Sequence, residues 1–181
     1  MTRLTIFAED QPERAIAQTA DGSEIEWRLG NVGVRFERWK AGVALTNGAD
    51  QPAILAAYDR EIDRLMKEGG YKTADVIRLK PDHPDKIALR AKFLDEHTHA
   101  EDEVRFFVEG AGAFYLHLDG KVHRLVCEQD DLLSVPAGTR HWFDMGPSPL
   151  FTCIRIFTNP EGWVAQFTGD KIAASFPKYS E

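Results

Sequence analysis

The longest periodic stretch of the chain, 52–68, carries Ile54, Tyr58, Ile62 and Leu65 on one stripe, joined by Leu55 and Met66. This spacing predicts one amphipathic helix. Asp50 stands where a capping side chain is needed, and Gly69-Gly70 where the helix must stop. Such a stripe is core packing, and no chemistry is assigned to it. Ser23-Glu24-Ile25-Glu26 has the pattern of a capping box and opens a second helix that ends near Gly30. Pro84 suits the first turn of a third, which runs to about Phe93. Short apolar runs at 4–7 and 34–39 read as strands.

From residue 97 the texture changes to short β-rich runs at close spacing. The pattern predicts strands over 104–109, 113–118, 122–127, 132–135, 141–144 and 152–157. Gly110-Ala111-Gly112 and Asp119-Gly120 separate them as turn signals, the second a strong hairpin cue. Many short strands in succession indicate a sandwich or barrel. The expected fold is therefore mainly β with α elements, the helices coming from the N-terminal half.

With 181 residues, 43% of them apolar, the chain has the size of one domain with one real core. Lys and Arg total 22 against 29 for Asp and Glu, a net charge of -7. A nucleic-acid partner is not expected, because it requires clustered cations to displace counterions. The cations of Lys86, Arg90 and Lys92 read as a solvated helix face. Cys127 and Cys153 form no CxxC and sit in apolar runs, so they are expected as buried free thiols in a reducing cytoplasm. The N-terminus is charged too early for a signal peptide, and no apolar run approaches the roughly 18 residues of a membrane span. A cytoplasmic protein with no membrane partner is expected.

The candidate chemistry lies in Glu96-His97-Thr98-His99-Ala100-Glu101-Asp102-Glu103. If this piece is extended, His97 and His99 point one way, and Glu103, Arg105 and Phe107 share a parity. His141 lies on a later strand, after Pro136-Ala137-Gly138-Thr139-Arg140, and Phe143 shares its face. Three imidazoles and one carboxylate suit a borderline divalent transition metal, and four ligands on an octahedral ion leave two positions open. An HxH pair alone is common enough to be structural. His83, His117 and His123 lack a carboxylate at matching spacing followed by a glycine turn and are read as structural or surface residues. Glu101 and Asp102 read as surface charges rather than ligands. An arginine at 105 would ordinarily be exposed or paired.

Resemblance sharpens this picture. His97-Thr98-His99, Glu103 and Gly110 resemble the first motif of the cupin superfamily, and Pro136, Gly138 and His141 the second. Asp130 and Met145 depart from that second motif at positions that hold no metal. The stretches VRFERW, EHTHAEDEVRFFVEGAG, VPAGTRHWFDMG and IRIFTNPEGWVAQFTGD resemble the acireductone dioxygenase family of bacterial methionine salvage, over nearly the whole chain. The resemblance implies a cupin (double-stranded β-helix, or jelly-roll) barrel within a single domain over 1–181. It divides into an α+β part over 1–94, a metal-binding core over 95–158 and an extension over 159–181.

The resemblance also implies one Fe2+ or Ni2+ per monomer, held by His97, His99, Glu103 and His141. The implied substrates are acireductone and O2. With iron the products are 4-methylthio-2-oxobutanoate and formate; with nickel they are 3-methylthiopropanoate, formate and CO. Arg105 matches the arginine that favours the substrate dianion. Glu96 and Asp102 match positions that assist metal incorporation and transmit local structural change. Phe93, Phe143 and Trp163 are expected to wall the thioether tail. Closure of the barrel would remove edge strands and favour a monomer. Two other readings stay open: another metal-dependent cupin oxygenase or isomerase, and a non-catalytic metal-binding cupin.

Overall fold

The computed structural model describes residues 1–40, 45, 49–159 and 164–180. In chain order, β1 (Arg3–Ala8) pairs with β2 (Ala15–Thr19), and α1 (Gly22–Gly30) leads to β3 (Arg35–Arg38). Next come α2 (Gln51–Ala57), α3 (Asp59–Gly69), β4 (Thr73–Leu79) and α4 (Lys86–Phe93). The strand-rich half holds β5 (His97–Thr98), β6 (Glu103–Leu118), β7 (Lys121–Glu128), β8 (Asp131–Val135), β9 (Arg140–Asp144), β10 (Phe151–Phe157) and β11 (Gln166–Phe167). A 3-10 turn at Ile172–Ala174 follows.

The expected mainly β fold forms, built as two antiparallel layers that share β6. One layer runs β11-β5-β9-β6-β7-β1-β2, and the other is β4-β10-β6-β8-β3. Strands from the first 94 residues complete both layers. The ring is left open. Among the described residues β11 and β2 end one layer and β4 and β3 the other, so closure does not remove the edges as expected.

Gly110-Ala111-Gly112 is not a turn between two strands, as its composition suggests, but a corner inside β6. Residues 103–106 pair with β8 and 104–110 with β10, whereas 111–118 pair with β7. Gly110 takes φ +70, and a Cβ there would collide with the Leu150 backbone, so only glycine fits. The register against β10 slips beside it, between Thr152 and Cys153. The slip has a large consequence, because a shift of one residue exchanges the faces of a strand. Before the corner, Val104, Phe106 and Val108 pack outward and Phe107 faces the inter-sheet core. After it, Phe114 and Leu116 face that core, while Ala113 and Tyr115 turn outward to Trp142, Ala173, Phe176 and Tyr179.

The stripe of Ile54, Tyr58, Ile62 and Leu65 is buried against Val104, Phe106, Leu132, Ile154 and Ile156, so the helices coat the outer face of one layer. The helix expected over 52–68 is broken in two. Tyr58 leaves helical geometry at φ -122, and its ring packs edge-on to Phe106 with centroids 5.4 Å apart. Asp50 caps α2 through Ala53 N at 3.0 Å, and Gly70 ends α3 in the left-handed region, both as expected.

Two other helix starts differ from expectation. Asp21, not Ser23, caps α1 by accepting from Glu24 N at 2.8 Å, since the extended backbone at 21 aims that carboxylate at the free amide. α4 begins at Lys86 with Asp85 at its N-cap position, where the side chain makes no capping bond, so Pro84 lies ahead of the helix rather than in its first turn. Asp119 and Gly120 both have positive φ and close the β6–β7 hairpin. Cys127 and Cys153 are buried free thiols, and among the described residues no helix is long and apolar enough to cross a membrane.

Replacing Gly110 by alanine is expected to cost roughly 2–4 kcal/mol, because it adds backbone strain to a collision with backbone. Asp50→Ala, which removes one cap, is expected to cost about 1 kcal/mol. Urea unfolding of the two variants checks this; a Gly110→Ala midpoint equal to that of Asp50→Ala would refute the corner's steric origin.

Candidate metal centre

β5 and β9 are paired so that His97 and His141 are register partners, and His99 lies just past the end of β5. Their ring centroids are 4.5 Å apart for His97 and His141, 5.1 Å for His97 and His99, and 5.2 Å for His99 and His141. The three offer donor nitrogens within 4.8 Å of one another, all on buried residues, and so form a group able to hold a metal ion. Each Nδ1 meets a backbone carbonyl: His97 that of Asp95 at 2.8 Å, His99 that of Val164 at 3.1 Å, and His141 that of Thr139 at 2.8 Å. A carbonyl only accepts, so each Nδ1 carries the proton. Nε2 is then the nitrogen presented to a metal, and the ring plane is fixed by a bond outside the site.

Glu103 opens β6 and is 2% exposed. Its Oε1 accepts from Arg105 Nε at 2.7 Å. Its Oε2 lies 2.7 Å from His141 Nε2 and 3.7 Å from His99 Nε2. The closer approach is not aligned as a hydrogen bond, and both Glu103 Oε2 and His141 Nε2 are buried without a hydrogen-bond partner. Two orphaned atoms converging in this way are costly unless a cation lies between them. Metal–nitrogen bonds near 2.1 Å would put neighbouring ligand atoms about 3 Å apart, which matches this crowding. Three imidazoles with one carboxylate are donors of the right kind for a divalent transition ion, so the residues fit such a group.

Electrostatics divide the three imidazoles: burial lowers two of them, while the Glu103 carboxylate, against burial, raises His141. Burial, reinforced by the nearby His141, pushes His97 down to about 4, which leaves its ring neutral near pH 7. Burial also lowers His99. Burial works against the charge of Glu103, but the Arg105 guanidinium and the neighbouring His141 overcome it and hold the carboxyl well below its usual range.

These side chains line a cavity of about 460 Å³. Arg105 sits in it, with its guanidinium 5.5 Å from the Phe114 ring centroid and 5.4 Å from that of Phe143. Phe93 and Phe143 also line the cavity, whereas Trp163 lies outside the described residues. Glu96 is buried but turned elsewhere: its carboxylate meets His117 Nδ1 at 2.6 Å and Thr168 Oγ1 at 2.8 Å. Asp102 accepts from Ala137 N at 3.0 Å, and His99 O from Gly138 N at 2.8 Å. Together these bonds fasten the turn that precedes His141 to the loop that carries His99.

Among the other histidines, His117 is buried between Glu96 and Glu9, and His123 is buried in β7; neither is a surface residue. One expectation about cations is corrected. Arg90 is not solvated: Asp144, fully buried, accepts from it at 2.7 and 3.0 Å. Lys92 is exposed and also lines the cavity. Arg155, Val164, Ala165 and Phe167 line it too and were not anticipated from the sequence. For Arg155 a signal existed, a lone charge in the apolar run FTCIRIF at the parity of Phe151 and Cys153.

Comparison with known proteins gives this arrangement a family. A model described as the ARD/ARD' family matches residues 3–165. The chain is 60% identical over 179 residues to a protein of Parvibaculum lavamentivorans named acireductone dioxygenase, covering 99% of this chain and 97% of that one. A protein of the same name from Yersinia enterocolitica is 58% identical over 178 residues, covering 98% and 99%. The solved acireductone dioxygenase from Bacillus anthracis, with a cadmium ion in its active center, is 32% identical. It superposes with a TM-score of 0.79 over 92% of this chain and 98% of that one. Matched by the family model over most of its length, and sharing more than half its residues with relatives of nearly equal extent, the chain belongs to the ARD/ARD' family.

Proposed function

We propose that the chain is a cytoplasmic, metal-dependent dioxygenase that cleaves acireductone with O2 in methionine salvage. One Fe2+ or Ni2+ per monomer is held by His97, His99, Glu103 and His141. The observation that carries this reading is the pair of orphaned buried atoms, Glu103 Oε2 and His141 Nε2, aimed into the same cavity as two further imidazoles. With iron the products are 4-methylthio-2-oxobutanoate and formate. With nickel they are 3-methylthiopropanoate, formate and CO. Either set accounts for every atom of substrate and dioxygen. The chain acts as one domain and as a monomer.

A divalent ion held by these residues would supply Lewis acidity to the substrate's oxygens. The chain's own residues do the rest. The bonds from Nδ1 to backbone carbonyls keep the three rings oriented without rearrangement. Arg105 offsets the second negative charge of the enediolate in a largely enclosed site, where such a charge acts with little screening. Phe93 and Phe143 cover the thioether tail and exclude water from the reacting carbons. Asp102 holds the turn ahead of His141, and Glu96 anchors the segment at Thr168 beside β5.

The test is an oxygen pulse delivered to anaerobic acireductone and the iron-loaded protein. Rapid loss of the substrate's absorbance with release of formate is expected, and no oxygen-dependent loss would remove the function. His97→Ala should retain the far-ultraviolet dichroism of the fold yet lose its metal by elemental analysis, and full occupancy would remove His97 from the ligand set. Arg105→Met should fold and keep its metal, because the ion then balances Glu103, while kcat falls by about 10²–10³. Steady-state kinetics on the metal-replete variant decide this; normal turnover would take Arg105 out of the mechanism.

A further inference from the structure

Arg155 is out of place in its strand. In β10, Ile154 and Ile156 pack outward, and Phe151 and Cys153 are buried in the inter-sheet core. Arg155 shares the inner parity and carries a charge onto that face, where it lines the same cavity as the candidate ligands. Its register partner in β6 is Arg105. Like charges directly opposed in an antiparallel pair repel, and each is compensated by a carboxylate. Glu103 accepts from Arg105 Nε at 2.7 Å, and Asp75 accepts from Arg155 at 2.7 and 2.5 Å. The Arg155–Asp75 pair is about 28% and 33% exposed, so as an ion pair it adds little to stability. Among the described residues that line the cavity, Lys92, Arg105 and Arg155 are cationic and Glu103 is the one carboxylate, with Asp75 behind Arg155, in a chain whose net charge is -7. A cavity that favours cations against the sign of the whole molecule is suited to a small anion.

We infer that Arg155 is a specificity-determining residue that, with Arg105, forms a guanidinium wall for an oxyanion of the bound ligand. Its identification as an oxyanion of the acireductone enediolate rests on the function proposed above. Asp75 is a positioning residue: its two bonds hold the plane of the Arg155 guanidinium, and it does not touch the ligand.

The experiment compares Arg155→Met, Arg155→Lys and Asp75→Asn with the unaltered chain, all nickel-loaded and without oxygen. The probe is oxalate, a planar dianion with oxygens on adjacent carbons, titrated by calorimetry. Acireductone kinetics and melting temperatures are measured alongside. Arg155→Met should weaken oxalate by about tenfold to a hundredfold and raise KM for acireductone more than it lowers kcat. Arg155→Lys should recover part of the loss, since charge persists without the fork. Asp75→Asn should lose less than Arg155→Met, and Tm should stay within a few degrees throughout.

Oxalate binding unchanged in Arg155→Met would overturn the inference and leave Arg155 a partner of Asp75 alone. If Arg155→Met does not fold, unchanged binding by Arg155→Lys overturns it in the same way, as does failure of the unaltered protein to bind oxalate. A protein that binds oxalate through Arg155 but consumes no acireductone would end the proposed function and support the anion wall.

Discussion

A carboxylate buried to 2% exposure needs opposite charge nearby, and the architecture of the cavity follows from how Glu103 obtains it. Taking such a group out of water costs several kcal/mol unless it is paired and bonded. Arg105, two residues along the same face of β6, answers one oxygen at 2.7 Å. The other oxygen faces three imidazoles whose Nδ1 atoms are committed to carbonyls, and two of whose Nε2 atoms lie within 3.7 Å of it. Without an ion that oxygen draws on His141 alone, whose imidazole it raises against the pull of burial, whereas a divalent ion would balance it and use the lone pairs of all three rings. Loading an ion there would at the same time satisfy the buried charge, the kind of coupling that links metal binding to folding.

The corner at Gly110 allows one strand to serve both the site and the core. Ahead of it, the odd-numbered face of β6 presents Glu103, Arg105 and Phe107 to the interior; beyond it, the even-numbered face presents Phe114 and Leu116. Had the parity not switched, the face carrying Ala113, Tyr115 and His117 would have turned inward and its aromatic coat outward of nothing. The Phe114 and Phe143 rings lie beside the Arg105 guanidinium because of this switch, and they lend it cation–π stabilisation where water is scarce. The glycine that closes the HxH–Glu–Gly spacing is therefore tied to the site by geometry. It ends the segment that carries Glu103 and redirects the strand that supports His141 through the pair Leu116 and His141.

Much of this was legible in the residues. The proposed ligand set was read from short-range parity and motif spacing, which depend on two or three neighbouring φ and ψ values, and its four residues line one cavity. The stripe of α2 and α3 was readable for the same reason, although the break at Tyr58 was not, because it answers to Phe106, 48 positions away in sequence. The β4 strand (TADVIRL) was not read because its side chains are nearly all half-buried and follow no clean alternation; its identity comes from pairing with β10. Arg90 and Lys92 look like a polar helix face in sequence, yet the partner of Arg90 lies at Asp144 and Lys92 opens onto the cavity. Glu96 stood beside a ligand in sequence, but its carboxylate turns to His117, a partner set by the β6–β5 arrangement rather than by local spacing.

Charge arranged against the sign of the whole molecule has a further implication. At physiological ionic strength surface charges beyond about 8 Å are screened, so the acidic exterior does little to repel a ligand already at the mouth of the cavity. The cations inside a partly enclosed space are screened far less and set the local potential. Fully buried guanidiniums would retain carboxylate products as firmly as an anionic substrate. Arg105 is deep and held by Glu103, whereas Arg155 keeps about a quarter of its side chain in contact with solvent and shares its charge with Asp75. A wall graded from a desolvated cation to a hydrated one concentrates attraction on the oxygens nearest the metal ligands and weakens it toward the opening. On the function proposed, such grading would favour an anion with its charge at one end and would let a product leave once the bonds near the ligands are exchanged for water.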